Sequence, residues 1–405
     1  MLGARCWVLG ALLSQAVQPL PPQQSQQQPR FSSRVERIVV DVQVVDRQGR
    51  PVPLLGPDDF EVKISQRVRP VTSVEYIRVA EIDSAAGGAA KPAADPATLD
   101  EPRRAGRDFI LAVDESSFRT NNAPAAIRAA RGFIGRLAPE DRVGLFTYPT
   151  YPRYFTLTPD HAQVLRQLNR VMGTFTVPAS QFHLSPSEVM DIVAGDRDVV
   201  VRVATRECLP QYRADCIQRI PGDANLIVMA FESQATASMA ALRILFASLV
   251  QDPNRKTVVI VSGGLLASDR VGGRPDITAA IQQMGYEAAE SGANLYVLHM
   301  DSSFLDAFSA ASTSRISTSL MRETSAFESG LDRLADAGGG ARIHVSPGGE
   351  DAAFNRVLRE TSSYYLLGVE PFDEDRDGRL HYITVKVKLP GAEVRARRTI
   401  VIPAR

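Results

Sequence analysis

The chain has 405 residues, of which 44% are hydrophobic and 23% are charged, and its 46 basic residues balance its 46 acidic ones. This composition excludes a wholly disordered chain, because it supplies enough apolar material for a sizeable core. A zero formal charge lacks the basic excess of a general nucleic-acid binder, so we expect no nucleic-acid partner. Three cysteines and five histidines exclude a cysteine-rich zinc module and a dense disulfide scaffold.

The N-terminus has the pattern of an export signal. Arg5 precedes an apolar run from Cys6 to Ala16, which has the size of a signal-peptide core and is too short to span a bilayer. Small residues at Ser14 and Ala16 give a cleavage pattern. We therefore predict a signal peptide over 1–16 and a periplasmic or extracellular protein; the alternative is a mildly apolar tail. No later segment reaches about eighteen uninterrupted apolar residues, which predicts no integral membrane span.

Composition and periodicity divide the rest of the chain into segments. Period-two alternation predicts antiparallel strands, and continuous apolar runs that alternate with helical patterns predict a mostly parallel sheet. The predicted segments are a Gln/Pro-rich spacer at 17–33, an N-terminal β unit at 34–81, an Ala/Pro/Gly linker at 82–106, an α/β domain at 107–362 and a C-terminal β unit at 363–405.

Two local patterns are more specific. Ser185, Pro186 and Glu188 form a capping box that predicts a helix start, and an Ala/Leu/Met-rich pattern predicts a long helix filling much of 223–250. Cys208 and Cys216 lie eight residues apart without a CxxC motif. In an exported chain we expect them to form a disulfide that closes a short loop, whereas in a cytosolic chain they would be unpaired thiols.

Five strings resemble, in their order and spacing, the von Willebrand factor type A (VWA) domain. They are FILAVDESSF at 109–118, DRVGLFTY at 141–148, KTVVIVSGG at 256–264, ANLYVLHMD at 293–301 and LADAGGGARIHV at 334–345. More narrowly, the β units at both ends resemble those of exported VWA-related proteins of acidobacteria, through VVDVQVVDRQGRPVPLLGPDDFEV and SSYYLLGVEPFDEDRDGRLHYITVKVKLPGAEVRARR.

The resemblance implies a doubly wound, mostly parallel sheet of the VWA or Rossmann-like type, with an insertion at about 175–222. It places the ligand site at the carboxyl ends of the strands, as the general rule for open α/β sheets also expects. It also raises the hypothesis that the N- and C-terminal antiparallel β segments form one β-sandwich.

Many VWA domains hold a divalent cation, through a D-x-S-x-S loop after the first strand and through a Thr and an Asp from later loops. By this resemblance Asp114 and Ser116 are candidate ligands, but Phe118 occupies the place of the second serine. Ser262 occupies the place of the later aspartate, and a neutral hydroxyl is a weaker Mg²⁺ ligand than a carboxylate.

The threonine ligand has two candidates, Thr174 and Thr176, and Glu115 or Asp301 could supply an unanticipated carboxylate. We therefore expect a degenerate metal-ion-dependent adhesion site and no cofactor, with Mg²⁺ or Mn²⁺ as the alternative. Without a metal, the aspartate and serine of the first loop would cap the next turn.

A second acidic motif lies near the C-terminus. Asp373, Asp375, Asp377 and Gly378 open a D-x-D-x-D-G pattern, but Thr384 stands where an EF-hand needs its bidentate glutamate. The flanking residues have strand periodicity, which favours an acidic hairpin turn over a weak Ca²⁺ site.

Catalytic motifs are missing from the sequence, which contains no G-x-S-x-G elbow, P-loop or H-E-x-x-H pattern. His299 and His344 fall inside apolar strands, where we expect a structural role. We predict that the chain is not an enzyme; a hydrolase at the switch point of the sheet is an alternative.

Aromatic residues near the end of a predicted strand suggest a contact surface, because aromatic side chains are favoured interface anchors. The candidate binding rim comprises Tyr148, Tyr151, Tyr154 and Asp301. The sequence thus predicts an exported, non-enzymatic protein-binding or scaffold module with a protein partner, and its alternative is a metal-dependent adhesion protein that uses Asp114.

Overall fold

The chain is described from a computed structural model, which covers residues 37–79, 106–120, 123–149, 156–176, 178–252, 254–300 and 317–404. Its strands are β1 (Ile38–Val45), β2 (Phe60–Ile64), β3 (Arg67–Arg69), β4 (Val71–Arg78), β5 (Asp108–Asp114), β6 (Arg142–Tyr148), β7 (Lys256–Ser262), β8 (Ala293–Met300), β9 (Ala341–Val345), β10 (Ser363–Val369), β11 (Leu380–Val387), β12 (Glu393–Ala396) and β13 (Thr399–Val401). Its helices are α1 (Ala123–Ile134), α2 (His161–Leu168), α3 (Pro186–Val193), α4 (Arg197–Glu207), α5 (Arg213–Leu249), α6 (Thr278–Glu290), α7 (Ser317–Ala337) and α8 (Glu350–Glu360).

A parallel sheet with the strand order β6-β5-β7-β8-β9 forms the centre of the α/β part. Strands β5, β7 and β8 are buried along their whole length, as continuous apolar runs predict for strands covered on both faces. The chain passes from β5 to β6 on one side and then crosses to β7 on the other, so the switch point lies between β5 and β7. The predicted α/β fold class is confirmed, and the sheet is consistent with a VWA-like fold.

Helices cover both faces of this sheet. Helices α1, α2 and α8 pack on one face, where the ring of Phe133 lies 5.3 Å from that of Phe109 and 4.9 Å from that of Phe354. The C-terminal half of α5 packs with α6 and α7 on the opposite face, around core residues such as Ile260 and Phe246.

A third apolar cluster joins α3, α4 and the N-terminal half of α5. The capping box is confirmed, because Ser185 accepts a hydrogen bond from the Glu188 amide and Glu188 accepts one from the Ser185 amide. Cys208 and Cys216 form the expected disulfide, which ties the end of α4 to the first turn of α5.

Antiparallel strands from both ends of the chain form two four-stranded sheets. Strand β10 lies between β1 and β4 in one sheet, and β11 lies between β2 and β13 in the other. Their inner faces share one core, which includes Val40, Ile64 and Leu367. The hypothesis that the two β segments form one β-sandwich is confirmed.

The sequence predicted one strand over AEVRARRTIVIP, and the structure divides it between the two sheets. Ala396 at the end of β12 is the register partner of Val42, whereas Thr399 in β13 is the partner of Tyr382. The chain turns from one sheet to the other at Arg397 and Arg398, which is how strands form the corners of packed sheets.

A buried polar contact joins the sandwich to the parallel sheet. The Tyr296 hydroxyl of β8 lies 2.9 Å from Gln43 Oε1 of β1 and 3.0 Å from Glu360 Oε2 of α8. Beside it, Asp41 of β1 pairs with Arg255 and Arg397. These charges lower the pKa of Asp41 although burial raises it.

No helix of the described residues has both the length and the apolar character to cross a membrane. The predicted signal peptide and spacer, and the linker up to residue 105, lie outside the described residues.

Candidate functional site

One polar side chain from each strand of the parallel sheet lies near its carboxyl end. Asp114 of β5 pairs in register with Tyr148 of β6, and Ser262 of β7 pairs with His299 of β8, which in turn pairs with His344 of β9. Residues two positions earlier on these strands, such as those of β7 and β8, pack against α5, α6 and α7. Because side chains alternate along a strand, this polar row lies on the same face of the sheet.

Asp114 lies at the centre of a closed hydrogen-bond network at the switch point. Its Oδ1 accepts from the Ser116 amide at 3.2 Å and from Ser116 Oγ at 2.7 Å, and its Oδ2 accepts from Ser262 Oγ at 3.2 Å. Gln234 of α5 donates to the Ser116 carbonyl at 2.7 Å. The three candidate metal ligands are thus brought together, and they bond to one another.

The environment of Asp114 shifts its acidity. The residue is only 4% exposed, and this burial raises the pKa of its carboxyl group from 3.8 to about 6. Hydrogen bonds from Ser116, Ser262 and the Ser117 amide act in the opposite direction and are outweighed.

Ser117 and Phe118 anchor the same loop to the rest of the domain. Ser117 Oγ donates to the Asp114 carbonyl at 2.8 Å and accepts from the Gly263 amide at 2.7 Å. A Cβ at Gly263 would lie 2.5 Å from the Ser117 carbonyl oxygen, so this close approach requires glycine. Phe118 is 2% exposed and belongs to the apolar core.

One of the two threonine candidates, Thr174, bonds to the backbone of the Asp114 loop. Thr174 donates to the Glu115 carbonyl from its amide at 2.8 Å and from its hydroxyl at 3.2 Å. Among the described residues, the candidate metal site thus contains the carboxylate of Asp114 and the hydroxyls of Ser116 and Ser262. Mg²⁺ relies on carboxylates in near-ideal octahedral geometry, so these residues fit that ion poorly.

The prediction that Tyr148 belongs to a surface rim is wrong. Tyr148 is 1% exposed, because β6 continues through it and its ring packs beside Phe146 in the core. Burial and the charge of Asp114 raise the pKa of Tyr148 well above its usual value. Tyr148 is therefore not available as a surface anchor, and Tyr151, Tyr154 and Asp301 lie outside the described residues.

An open recess lies instead in the loop that follows β7. Its volume is about 380 Å³, and its lining residues come from the segment Ser268–Thr278 together with Arg333 of α7. Val271 at its border is fully exposed, whereas Leu265 and Leu266 nearer the strand are buried. We call Ser268–Thr278 with Arg333 the β7-loop recess.

At the other end of the polar row, His299 and His344 both contact a carboxylate. The sequence predicted only a structural role for these histidines. Glu328 of α7 lies 3.5 Å from His299 and 3.3 Å from His344. The similar positions of the two histidines near the ends of neighbouring strands could have predicted that they lie side by side. Nothing in the sequence predicts that Glu328, from the helix between these strands, contacts both.

The acidic motif near the C-terminus belongs to the sandwich. Both oxygens of Asp375 accept from Arg69, at 2.6 and 2.7 Å, and Asp377 pairs with His381. Burial opposes ionisation of Asp375, but the Arg69 contacts and the Phe372 amide keep its pKa below the usual value. The prediction of a hairpin turn is wrong, because β10 and β11 on either side of the motif belong to different sheets, and the motif is an acidic connection between them.

Comparisons with known proteins add little to these observations. No family model and no curated protein matches the chain. One similar solved structure is the VWA domain of SpRpn10, which is 11% identical over 62% of this chain and 94% of that domain, with a TM-score of 0.29. A likeness of that size carries no weight here, so the class of the protein rests on its parallel sheet with a polar carboxyl edge.

Proposed function

We propose that this chain is an exported, non-enzymatic protein-binding module built on a VWA-like domain, with a degenerate metal-ion-dependent adhesion site. The observation that carries the proposal is the contrast between two loops at the same edge of the sheet. Asp114 is buried and its carboxylate bonds to Ser116 and Ser262, whereas the β7-loop recess is open and bordered by the exposed Val271. A protein partner would therefore contact the recess and not a cation at Asp114.

General physical chemistry supports this division of roles. Open α/β sheets bind ligands outside the carboxyl ends of their strands, and the recess is formed by the loop that follows the carboxyl end of β7. Interface centres bring apolar side chains together with arginine, and the recess offers Val271 and Arg333.

Export of the chain is supported by the disulfide between Cys208 and Cys216, because such bonds persist mainly outside the cytosol. The relation to exported proteins of acidobacteria is part of this proposal and rests on the sequence strings at the two ends of the chain.

A cross-linking experiment with a matched control tests the contact surface. The native chain, Val271→Asp and Asp114→Ala would each be cross-linked in an extract of the source cells' envelope, with partners quantified by mass spectrometry. We expect Val271→Asp to lose the partners, and Asp114→Ala or EDTA to leave them bound.

Leu54→Asp is the control for a charge at an exposed apolar site, since Leu54 is 94% exposed and lies in the sandwich. Partners that survive Val271→Asp but disappear with Asp114→Ala, while circular dichroism shows intact folding, would overturn the proposal.

Metal-dependent adhesion remains the second candidate, because Asp114, Ser116 and Ser262 do converge within hydrogen-bond distance. Thermal unfolding in EDTA and then in millimolar Mg²⁺, Mn²⁺ or Ca²⁺ separates the two functions. A ligand at 100 times its dissociation constant stabilises the folded state by about 2.7 kcal/mol. A shift of that size that Asp114→Ala abolishes would establish the metal-dependent function.

A further inference from the structure

His299, His344 and Glu328 form a compact cluster beside strands β8 and β9, whereas Asp114 lies on β5. Glu328 Oε1 lies 3.5 Å from His299 Nδ1 and 3.3 Å from His344 Nδ1. Ligand atoms of all three residues lie within 4.8 Å of one another. Two of the side chains come from neighbouring strands in register and the third comes from the helix packed on them.

These distances suit a tetrahedral metal centre. Zinc binds histidine nitrogen at about 2.0–2.1 Å and carboxylate oxygen at about 2.0–2.2 Å, so ligand atoms of a tetrahedral site lie about 3.3–3.5 Å apart. We propose that His299, His344 and Glu328 form a binding site for a divalent transition metal, with Zn²⁺ as the ion that two imidazoles and one carboxylate favour.

Burial and rigidity give the cluster the character of a built site. His299 is 2% exposed and fixed within β8, whereas the side chain of His344 is 41% exposed and that of Glu328 is 25% exposed. The strands hold two ligands in place and the exposed side leaves a path for the ion. Three protein ligands leave the fourth position of a tetrahedron to water or to a group from a partner.

The ligand types separate this site from the one that the VWA resemblance implied. Imidazole suits zinc and other transition metals, whereas Mg²⁺ and Ca²⁺ prefer sets made of oxygen atoms alone. The proposed site thus differs from the Asp114 loop in its position and in its metal.

Arg342 is the competing partner of Glu328. Its Nη1 lies 3.4 Å from Glu328 Oε1, and its Nε lies 2.5 Å from Asp332 Oδ1. If Glu328 binds a metal, the Arg342 guanidinium still has Asp332 as its ion-pair partner. An ion-pair cluster without metal affinity is therefore the alternative that the experiment must separate.

Calorimetric titration of the metal-free full chain with zinc chloride tests the proposal. We expect one tight equivalent in the native chain, and an affinity reduced by about 100-fold in His344→Ala and in Glu328→Gln, since even changes in groups that only support the ligands cost 10–100-fold. Cobalt(II) provides a second readout, because a tetrahedral site gives visible absorption that these variants should lose.

His183→Asn is the matched control, because His183 also pairs with a glutamate, Glu207, but has no second histidine recorded beside it in the described structure. Its φ of 46° is one that asparagine tolerates. Absence of zinc binding by the native chain, or equal affinity in the native chain and in His344→Ala, would overturn the proposal and leave the ion-pair cluster.

Discussion

Asp114 carries a carboxylate that the fold stabilises poorly in its ionised form. Its pKa rises from 3.8 to about 6 on folding because burial of the residue outweighs the hydrogen bonds from Ser116 and Ser262. Between these values the folded chain binds more protons than the unfolded chain, so this group makes the protein less stable as pH increases. The full loss is reached above pH 6 and amounts to about 3 kcal/mol.

Asp114→Asn should therefore stabilise the protein at neutral pH. We expect its free energy of unfolding to exceed that of the native chain by about 3 kcal/mol at pH 7.5, with the difference shrinking as pH falls and vanishing below about pH 3. Urea unfolding of both chains in EDTA across that range measures the difference. A difference that stays constant with pH would show that Asp114 does not titrate as described.

Gly340 illustrates a residue whose small size the packing requires. A Cβ there would lie 1.4 Å from the Leu295 carbonyl oxygen of β8, so Gly340→Ala must displace an interior strand of the sheet. We expect a loss of about 3 kcal/mol or more, measured by urea unfolding.

Gly222→Ala is the paired control, because Gly222 lies within α5 and a Cβ there meets nothing within 4 Å. It should be neutral or stabilise the protein by up to about 1 kcal/mol. Equal effects of the two substitutions would contradict the packing argument.

Sequence reasoning placed single site residues well where the strand ends were clear. Asp114 and Ser262 follow apolar runs directly, and parallel strands bring their carboxyl ends to one edge. Tyr148 was misplaced, because it is the last residue of β6 and lies on the same buried face as Phe146 two positions earlier. The histidine cluster depends on Glu328 from a helix, a contact that only tertiary packing creates.

At the scale of elements, the third apolar cluster depends on the junction between α4 and α5. Cys216 is 8% exposed and packs in this cluster, and its disulfide with Cys208 closes a loop with a separation of eight residues. In the chain-entropy account, the bond lowers the entropy of the unfolded chain and so raises the free energy of unfolding by about 2–3 kcal/mol.

The double variant Cys208→Ala/Cys216→Ala should lose about 2–3 kcal/mol of stability. Urea unfolding with and without reductant measures the loss, and reductant should lower the native chain to the level of the variant while leaving the variant unchanged. Equal stability of the native and variant chains under oxidising conditions would refute the role of the bond.

Helix boundaries show why elements were only partly predictable. The sequence placed the long helix within 223–250, but α5 begins at Arg213 and continues through Pro221. Proline lacks an amide donor and normally ends a helix. Here buried residues on both sides of it, Ile220 and Ala224, lie in the same apolar cluster, so packing outweighs the local preference.

At the scale of the whole molecule, a buried tyrosine links the two parts of the fold. Tyr296 is fully buried, and its hydroxyl bonds both Gln43 of the sandwich and Glu360 of α8. Burial and the charge of Glu360 raise the pKa of this tyrosine well above its usual value, so it remains a neutral donor.

Tyr296→Phe should cost about 1–3 kcal/mol, because it leaves buried acceptors without this donor. Tyr382→Phe is the control: its hydroxyl lies 2.7 Å from that of Tyr286 across the same two parts, but Tyr382 is 58% exposed and water can replace the bond. Thermal unfolding compares the two. A larger effect of Tyr382→Phe would contradict this account of the interface.

The sandwich cannot form until strands from both ends of the sequence have been synthesised. The Leu55 amide donates a hydrogen bond to the Tyr365 hydroxyl across a separation of 310 residues, and β10 lies between β1 and β4 and pairs with both. Chains fold as they are synthesised from the N-terminus, so the first strands emerge long before the strand that joins them. Until β10 has been synthesised, these strands have exposed edges that can pair with other chains. A nascent chain that stops before β10 is therefore the form of this protein most in need of a chaperone.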